Sequence, residues 1–390
     1  MPHDSGHSRP ASAVVARWVD ERRQQPVALP IYQSTTFVMD EALVAAMNRG
    51  DYRGEYLYTR MGNPTVRALE ERLAVLHGAE DGVCTSSGMA ALSAALIGNT
   101  EPGDGIIAAK QLYGVTAAFL TRYLSMMGRE VVFADTADAE AVERAISSLR
   151  RPAWILVETI SNPLMEVSPV AALAGQCRRH GLRLMVDNTF ANPLLCRPLV
   201  FGADLVVESL SKSIAGHSDV HGGLVAGGRE LVRKSWDAMV HLGSCLDPHA
   251  AALIWRGLKT VSVRTEACCA RAETLVAWLQ QRPEVLRVYH PVLQERWSET
   301  LQSGGAMLSF VVEGGDLRAE RLLTTLRVAT PATSLGGVET LVSLPYNTSH
   351  RTPEARAQIG LLPGTVRFSV GIEALEDLQE DLKQALETSA

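Results

Sequence analysis

The stretch Val206-Val207-Glu208-Ser209-Leu210-Ser211-Lys212-Ser213 carries one lysine between serines, where an apolar strand from Asp204 to Val207 runs into a polar turn closed by Gly216. Held inside a protein at a strand end, a lysine ammonium is costly; desolvation lowers its pKa and favours the neutral amine. A neutral amine is a nucleophile for aldehydes, and pyridoxal 5'-phosphate (PLP) is the commonest biological aldehyde so held. Alone, such a lysine reads better as a solvated surface residue, as most lysines near strand ends are. A second signal stands upstream in Arg183-Leu184-Met185-Val186-Asp187, an apolar run that ends in a carboxylate. PLP needs an acidic partner for its ring nitrogen, because the protonated ring is the electron sink. In an open α/β sheet, ligands collect at the carboxyl ends of strands, where both Lys212 and Asp187 are expected.

Elements that would position these residues follow from the patterning. From about residue 60 to 245, apolar strand runs alternate with helical ones: Gly105–Ala109, Glu130–Phe133 and Ala153–Glu158 as strands, Ala171–His180 as a helix closed by Gly181. This alternation predicts an α/β fold, a mostly parallel sheet with helices on both faces. From Asp247 a long helical pattern runs through Leu258 towards Leu279 and stops before Pro283. Beyond it, a strand at Met307–Val312 and a helix over Leu375–Leu386 predict a smaller C-terminal α/β domain. The expected division is an arm over 1–55, a cofactor domain over 56–246 and a small domain over 247–390. Within the arm, Ser12 to Gln24 predicts a short helix with Val14, Val15 and Trp18 on one face.

Cys84-Thr85-Ser86-Ser87-Gly88-Met89 precedes an alanine-rich helix. Unpaired N–H groups and the dipole at a helix start favour an anion, so Ser87, Gly88 and Met89 are candidate phosphate ligands; a plain serine cap at Ser87 fits the same residues. Ser209 and Ser211 can add hydroxyls to that phosphate.

Val186-Asp187-Asn188-Thr189-Phe190-Ala191-Asn192-Pro193, Ser209-Leu210-Ser211-Lys212 and Gly216-His217-Ser218-Asp219 together resemble the Cys/Met-metabolism family of PLP enzymes. That group holds cystathionine γ-synthase, cystathionine γ-lyase, cystathionine β-lyase, methionine γ-lyase and the O-acylhomoserine sulfhydrylases. The resemblance runs from about Pro30 to the C-terminus and implies the aminotransferase-like fold, fold type I. It departs at Ser211, where a threonine is usual, and at Ser213, where an aromatic residue is usual. The family's opening motif is not found in the first thirty residues.

The resemblance implies roles residue by residue. Tyr58 and Arg60, in Tyr58-Thr59-Arg60-Met61-Gly62-Asn63-Pro64-Thr65, would reach the phosphate of an adjacent subunit, arginine's planar fork suiting phosphate. Tyr113, in Tyr113-Gly114, would stack on the ring and assist proton transfer, and Thr189 would join the cofactor contacts. Asn162, in the element Glu158…Asn162-Pro163, would contact the ring oxygen and the substrate carboxylate. Arg367, in Arg367-Phe368-Ser369-Val370-Gly371-Ile372-Glu373, would grip the α-carboxylate, helped by Ser334 of Ser334-Leu335-Gly336-Gly337. His350 is given no chemistry. Catalysis then falls to Lys212, Tyr113, Asp187 and Tyr58. Lys212, displaced from the aldehyde by an incoming amino acid, removes the α-proton and shuttles another from the β-carbon. A γ-substituent leaves, and water or a thiol completes elimination or replacement.

Substrate signals point in more than one direction. Ser-Leu-Gly-Gly followed by Val338-Glu339-Thr340-Leu341 resembles cystathionine γ-lyases and γ-synthases more than sulfhydrylases. Val115 departs from the cysteine typical of methionine γ-lyases. Thr333 stands where many cystathionine γ-enzymes carry a glutamate, and loss of that carboxylate weakens recognition of a distal ammonium. Methionine γ-lyase activity, sulfhydrylase activity and a specialised γ-substituted substrate stay open, as does a PLP-binding regulator without turnover.

Composition bounds the rest. The 390 residues carry 37 Lys+Arg against 43 Asp+Glu, a formal charge of −6, which argues against a nucleic-acid or anionic-membrane partner. Six scattered cysteines form no Cys-x-x-Cys pair and predict free thiols in a reducing compartment, with no metal site. The first thirty residues are polar with no apolar core of a signal peptide, so the cytoplasm is the expected location. A homotetramer built from dimers that share active sites is implied by the family resemblance.

Overall fold

The computed structural model describes residues 12, 14, 26–50, 53–348 and 351–389. In chain order the strands are β1 (Asp81–Thr85), β2 (Gly105–Ala109), β3 (Glu130–Ala134), β4 (Pro152–Glu158), β5 (Arg183–Asp187), β6 (Leu205–Ser209), β7 (Gly223–Gly227), β8 (Val285–Tyr289), β9 (Met307–Val312), β10 (Thr330–Pro331), β11 (Leu341–Ser343) and β12 (Thr365–Ser369). They fall into two compact units: residues up to Thr100 with Asp204–Ser262, and Glu101–Ala203 with Val263–Ala390. Ser12 and Val14 are helical, while Val15, Trp18 and His350 lie outside the described residues.

In the first unit, β7 pairs antiparallel with β1 on one side and β6 on the other. Helix Pro64–His77 packs on β1. Its ends were written in the sequence: the Asn63 side chain accepts the Thr65 N–H, Pro64 opens the first turn, and Gly78 closes it at φ 69°. Helix Gly88–Asn99 packs on β6 and β7. The long helix expected from Asp247 to Leu279 is two helices, Pro248–Leu258 and Val261–Leu279. They part where the Thr260 N–H and hydroxyl both bond the Gly257 carbonyl at 3.1 Å, closing a tight turn in place of the helical ladder.

In the second unit, β3, β2, β4 and β5 form parallel pairs in that order. Helices Ala139–Ser148 and Val170–His180 make the crossovers that parallel pairing requires. Buried Trp154, Ile155, Leu156, Val157, Leu184, Met185 and Val186 give β4 and β5 the continuous apolar run of covered strands. A five-stranded sheet follows in the order β10-β11-β12-β9-β8. Its core gathers Leu308, Phe310, Val342, Val366 and Phe368 with Leu275, Leu378 and Leu382 from helices Val261–Leu279 and Leu375–Thr388.

Candidate active site

The first unit holds the Lys212 amine and the start of helix Gly88–Asn99. β6 ends at Ser209 and the chain turns at once: Leu210 N–H bonds the Gly222 carbonyl at 3.0 Å, and Gly216 N–H bonds the Lys212 carbonyl at 2.8 Å. Leu210, Ile214 and Ala215 are buried and pin this turn, leaving Lys212 half-buried upon it. The Ser211 hydroxyl accepts the Gly222 N–H at 3.0 Å and faces the Gly222 carbonyl at 3.3 Å. Against the turn lies the start of helix Gly88–Asn99, where Ser87 caps the Ala90 N–H at 3.1 Å and Met89 is half-buried. The approach is too close for a side chain at Gly88, whose Cβ would stand 2.7 Å from Ser209 Cβ; one at Gly223 would run into the Ser87 carbonyl. Ser87, Gly88 and Ser209 are thus brought together beside the Lys212 turn.

Tyr58 and Arg60 pair with each other, the guanidinium 5.9 Å from the ring centroid. Both are exposed. Arg60 Nη1 bonds the Val240 carbonyl at 2.8 Å, and neither residue bonds the Ser87–Gly88 turn or the Lys212 turn among the described residues. Their loop is anchored at its ends by the Arg53–Asp81 ion pair and by Trp236 Nε1 on the Met61 carbonyl at 2.8 Å.

The second unit holds Asp187, Tyr113 and Arg367. Asp187 ends β5, and the Thr189 N–H at 3.0 Å and hydroxyl at 2.5 Å both bond its Oδ1. The neighbouring strand places Glu158 directly opposite. Burial, then the nearby Asp187, pushes the Glu158 carboxyl well above the usual range; burial also raises Asp187, against the Thr189 bonds. Glu158 Oε1 accepts the Tyr113 N–H at 2.6 Å, which fixes the start of that turn while Tyr113 stays 43% exposed.

Arg367 lies in β12 between two serines, Ser309 and Ser343, which leave room beside it. Its Nη1 bonds Asn162 Oδ1 at 3.2 Å and its Nη2 the Ser334 carbonyl at 3.0 Å. The sequence-picked trio of Asn162, Ser334 and Arg367 is therefore one cluster. Burial lowers the Arg367 pKa to about 10, partly offset by Tyr113 nearby, and no carboxylate lies within ion-pair distance among the described residues. Such a guanidinium suits a bidentate carboxylate from outside the chain. Sequence reasoning left two supports without a role. Ser161 and Gln111 share a 2.9 Å bond beside Asn162, and Glu373 bonds Thr340 twice. Glu373 stands in the motif that closes the chain, so its position was visible and its partner was not.

The residues fit PLP. A lysine amine beside a glycine-tight helix start and serine hydroxyls matches an aldehyde that carries a phosphate. Asp187, with both internal bonds on Oδ1, keeps Oδ2 for a cationic N–H, which would return a carboxyl raised by burial to its ionised form. The model of the family "Cys/Met metabolism PLP-dependent enzyme" matches residues 12–387. The chain belongs to this family. It is a PLP-dependent enzyme of α/β fold type I. It is 40% identical over 374 residues to L-methionine gamma-lyase of Porphyromonas gingivalis, covering 93% of each chain. It is 37% identical to cystathionine gamma-lyase of Bacillus subtilis, over 93% of this chain and 94% of that one. Among solved structures it superposes on cystathionine gamma synthase from Xanthomonas oryzae pv. oryzae in complex with cystathionine, at TM-score 0.91 and 35% identity, over 98% and 99% of the two chains. No helix among the described residues is long and apolar enough to cross a membrane.

Proposed function

We propose that the enzyme catalyses γ-elimination or γ-replacement on a sulfur-containing or O-acylated amino acid, most like the cystathionine γ-lyases and γ-synthases. The observation that carries the substrate class is Arg367, a desolvated guanidinium held by Asn162 and Ser334 with no carboxylate in ion-pair reach among the described residues. Bound PLP supplies an electron sink for charge that develops at the substrate's α- and β-carbons. Lys212 Nζ holds the cofactor's aldehyde at rest and moves protons at those carbons. Asp187 Oδ2 holds the ring N–H, and Thr189 fixes that carboxylate. Ser87, Gly88, Met89, Ser209 and Ser211 take the phosphate, joined by Tyr58 and Arg60 of a neighbouring copy. Tyr113 covers the ring and meets the leaving group. Methionine γ-lyase activity is the second reading, favoured by the 40% identity to the Porphyromonas gingivalis enzyme and opposed by Val115.

A homotetramer assembled from site-sharing dimers fits the exposed Tyr58–Arg60 pair, and a cytoplasmic location fits six free thiols. Of the division into an arm over 1–55, a large domain over 56–246 and a small domain over 247–390, the small domain is supported by the five-stranded sheet, which lies wholly within Val285–Ser369. A panel of cystathionine, methionine, cysteine, homocysteine and O-acetyl- and O-succinylhomoserine, with and without an added thiol, tests the chemistry. Release of 2-oxobutyrate or a thiol-dependent product is expected. Turnover of none of them by PLP-loaded protein would overturn the reading.

A further inference from the structure

Glu373 follows the strand that carries Arg367, and its carboxylate is spent on one residue. The Thr340 N–H bonds Oε1 at 2.6 Å and the Thr340 hydroxyl bonds Oε2 at 2.7 Å. Thr340 is fully buried, and its hydroxyl oxygen also accepts the Gly371 N–H at 2.9 Å. Gly371 must be glycine here, since a Cβ would stand 2.6 Å from the Thr340 nitrogen. The carbonyl of Glu373 is held in turn by Arg271 Nε at 2.7 Å.

Thr340 closes the loop that contains Ser334. Three further bonds tie that loop to β12 and the tail behind it: Ile372 N–H to the Val338 carbonyl at 2.9 Å, Gly336 N–H to Ser369 Oγ at 2.9 Å, and Arg367 Nη2 to the Ser334 carbonyl at 3.0 Å. Ser334 sits at φ 95°, in the region that L side chains avoid, so its surroundings must hold it there. The carbonyl that steadies Arg367 therefore depends on how firmly the loop is fastened, and its strongest fastening is the charged acceptor at Glu373.

We propose that Glu373 is a positioning residue for the substrate's α-carboxylate: by clamping Thr340 it fixes the Ser334–Thr340 loop, so that Ser334 holds the Arg367 guanidinium ready for the incoming carboxylate. This rests on the amino-acid chemistry proposed above. The test titrates PLP-loaded enzyme with glycine, which has the carboxylate and no γ leaving group, and with propylamine, which has only the amine. Both are read by the change in the cofactor's visible absorbance. Glu373→Ala should weaken glycine binding about ten-fold, the loss expected for a hydrogen bond to a charged group. The propylamine response should be unchanged. Glu373→Gln, which keeps one acceptor oxygen, should lose less, and Thr340→Ser should bind glycine as the unaltered enzyme does. If Glu373→Ala does not fold, Glu373→Gln and Thr340→Val carry the same comparison. Equal glycine affinity with and without the clamp overturns the proposal, as does an equal loss for both probes, which would mark general loosening. Glycine that leaves the unaltered enzyme's absorbance untouched would defeat the amino-acid reading itself, and the clamp with it.

Discussion

Lys212 and Asp187 each stand at or just beyond the end of a strand, on backbone fixed by the surrounding hydrogen bonds. The Lys212 carbonyl is held by Gly216 while its side chain is half-buried; Asp187 Oδ1 is occupied by Thr189 while Oδ2 is kept for another donor. Lys212→Ala removes the amine proposed to join the aldehyde, so the yellow absorbance of PLP-loaded enzyme should disappear. An unchanged spectrum would assign the linkage to a different lysine. Asp187→Asn keeps shape and the Thr189 contacts but cannot hold the ring cationic. Turnover should fall by roughly two to three orders of magnitude, the scale on which a preorganised electrostatic partner acts, while part of the cofactor stays bound. Cofactor content and kcat measured on the same sample separate the two effects; near-normal kcat would remove Asp187 as the ring's partner.

Elements written in local chemistry were legible, and those fixed by distant contacts were not. Strand β2 is legible at its exact bounds from an apolar run behind Gly103-Asp104, and helix Val170–His180 is legible from Ala171 to its close at Gly181. The antiparallel strands β1 and β7 were not, because Gly-Leu-Val-Ala-Gly resembles a loop until Gly223 is seen pressed against the Ser87 carbonyl. At the site, Arg367, Asn162 and Ser334 were named from motifs, but only folding shows that the carbonyl of Ser334, set by its unusual φ, is what Arg367 holds. A missed element residue gives its own prediction. His290 caps the short helix Pro291–Leu293 while buried, its Nε2–H directed at the Gly305 carbonyl at 3.2 Å and Nδ1 accepting from Val292 at 3.4 Å. Burial lowers its pKa below 6.5, against the Gly305 bond and Glu273, so the folded protein holds it neutral. The unfolded chain takes up a proton there first, and stability falls as pH drops below 6.5, by at most ~1.4 kcal/mol per pH unit from this one group. His290→Gln should therefore flatten the loss of Tm between neutral pH and mildly acid pH relative to the unaltered protein. Parallel Tm–pH curves for the two would show that His290 does not titrate on unfolding.

Tyr58 and Arg60 raise the question of how many chains make one site. Among the described residues of its own chain, Arg60 hydrogen-bonds only a backbone carbonyl, at Val240, and the tyrosine beneath it is 41% exposed. An exposed arginine and tyrosine gain a role if a second copy brings its cofactor phosphate to them. In a two-fold symmetric pair each copy would lend these residues to the other. Mixing two inactive variants tests this. Take Lys212→Ala and Arg60→Ala, each purified, unfolded together and refolded with PLP. In a hybrid pair, the site built on the intact lysine receives its Arg60 from the Lys212→Ala copy and is whole, whereas the other site carries both defects. Random pairing makes half the pairs hybrids, so roughly a quarter of the sites, and of the activity, should return. Were Arg60 to serve its own chain's cofactor, every site in every pairing would stay defective, and the mixture would show no more activity than its parents.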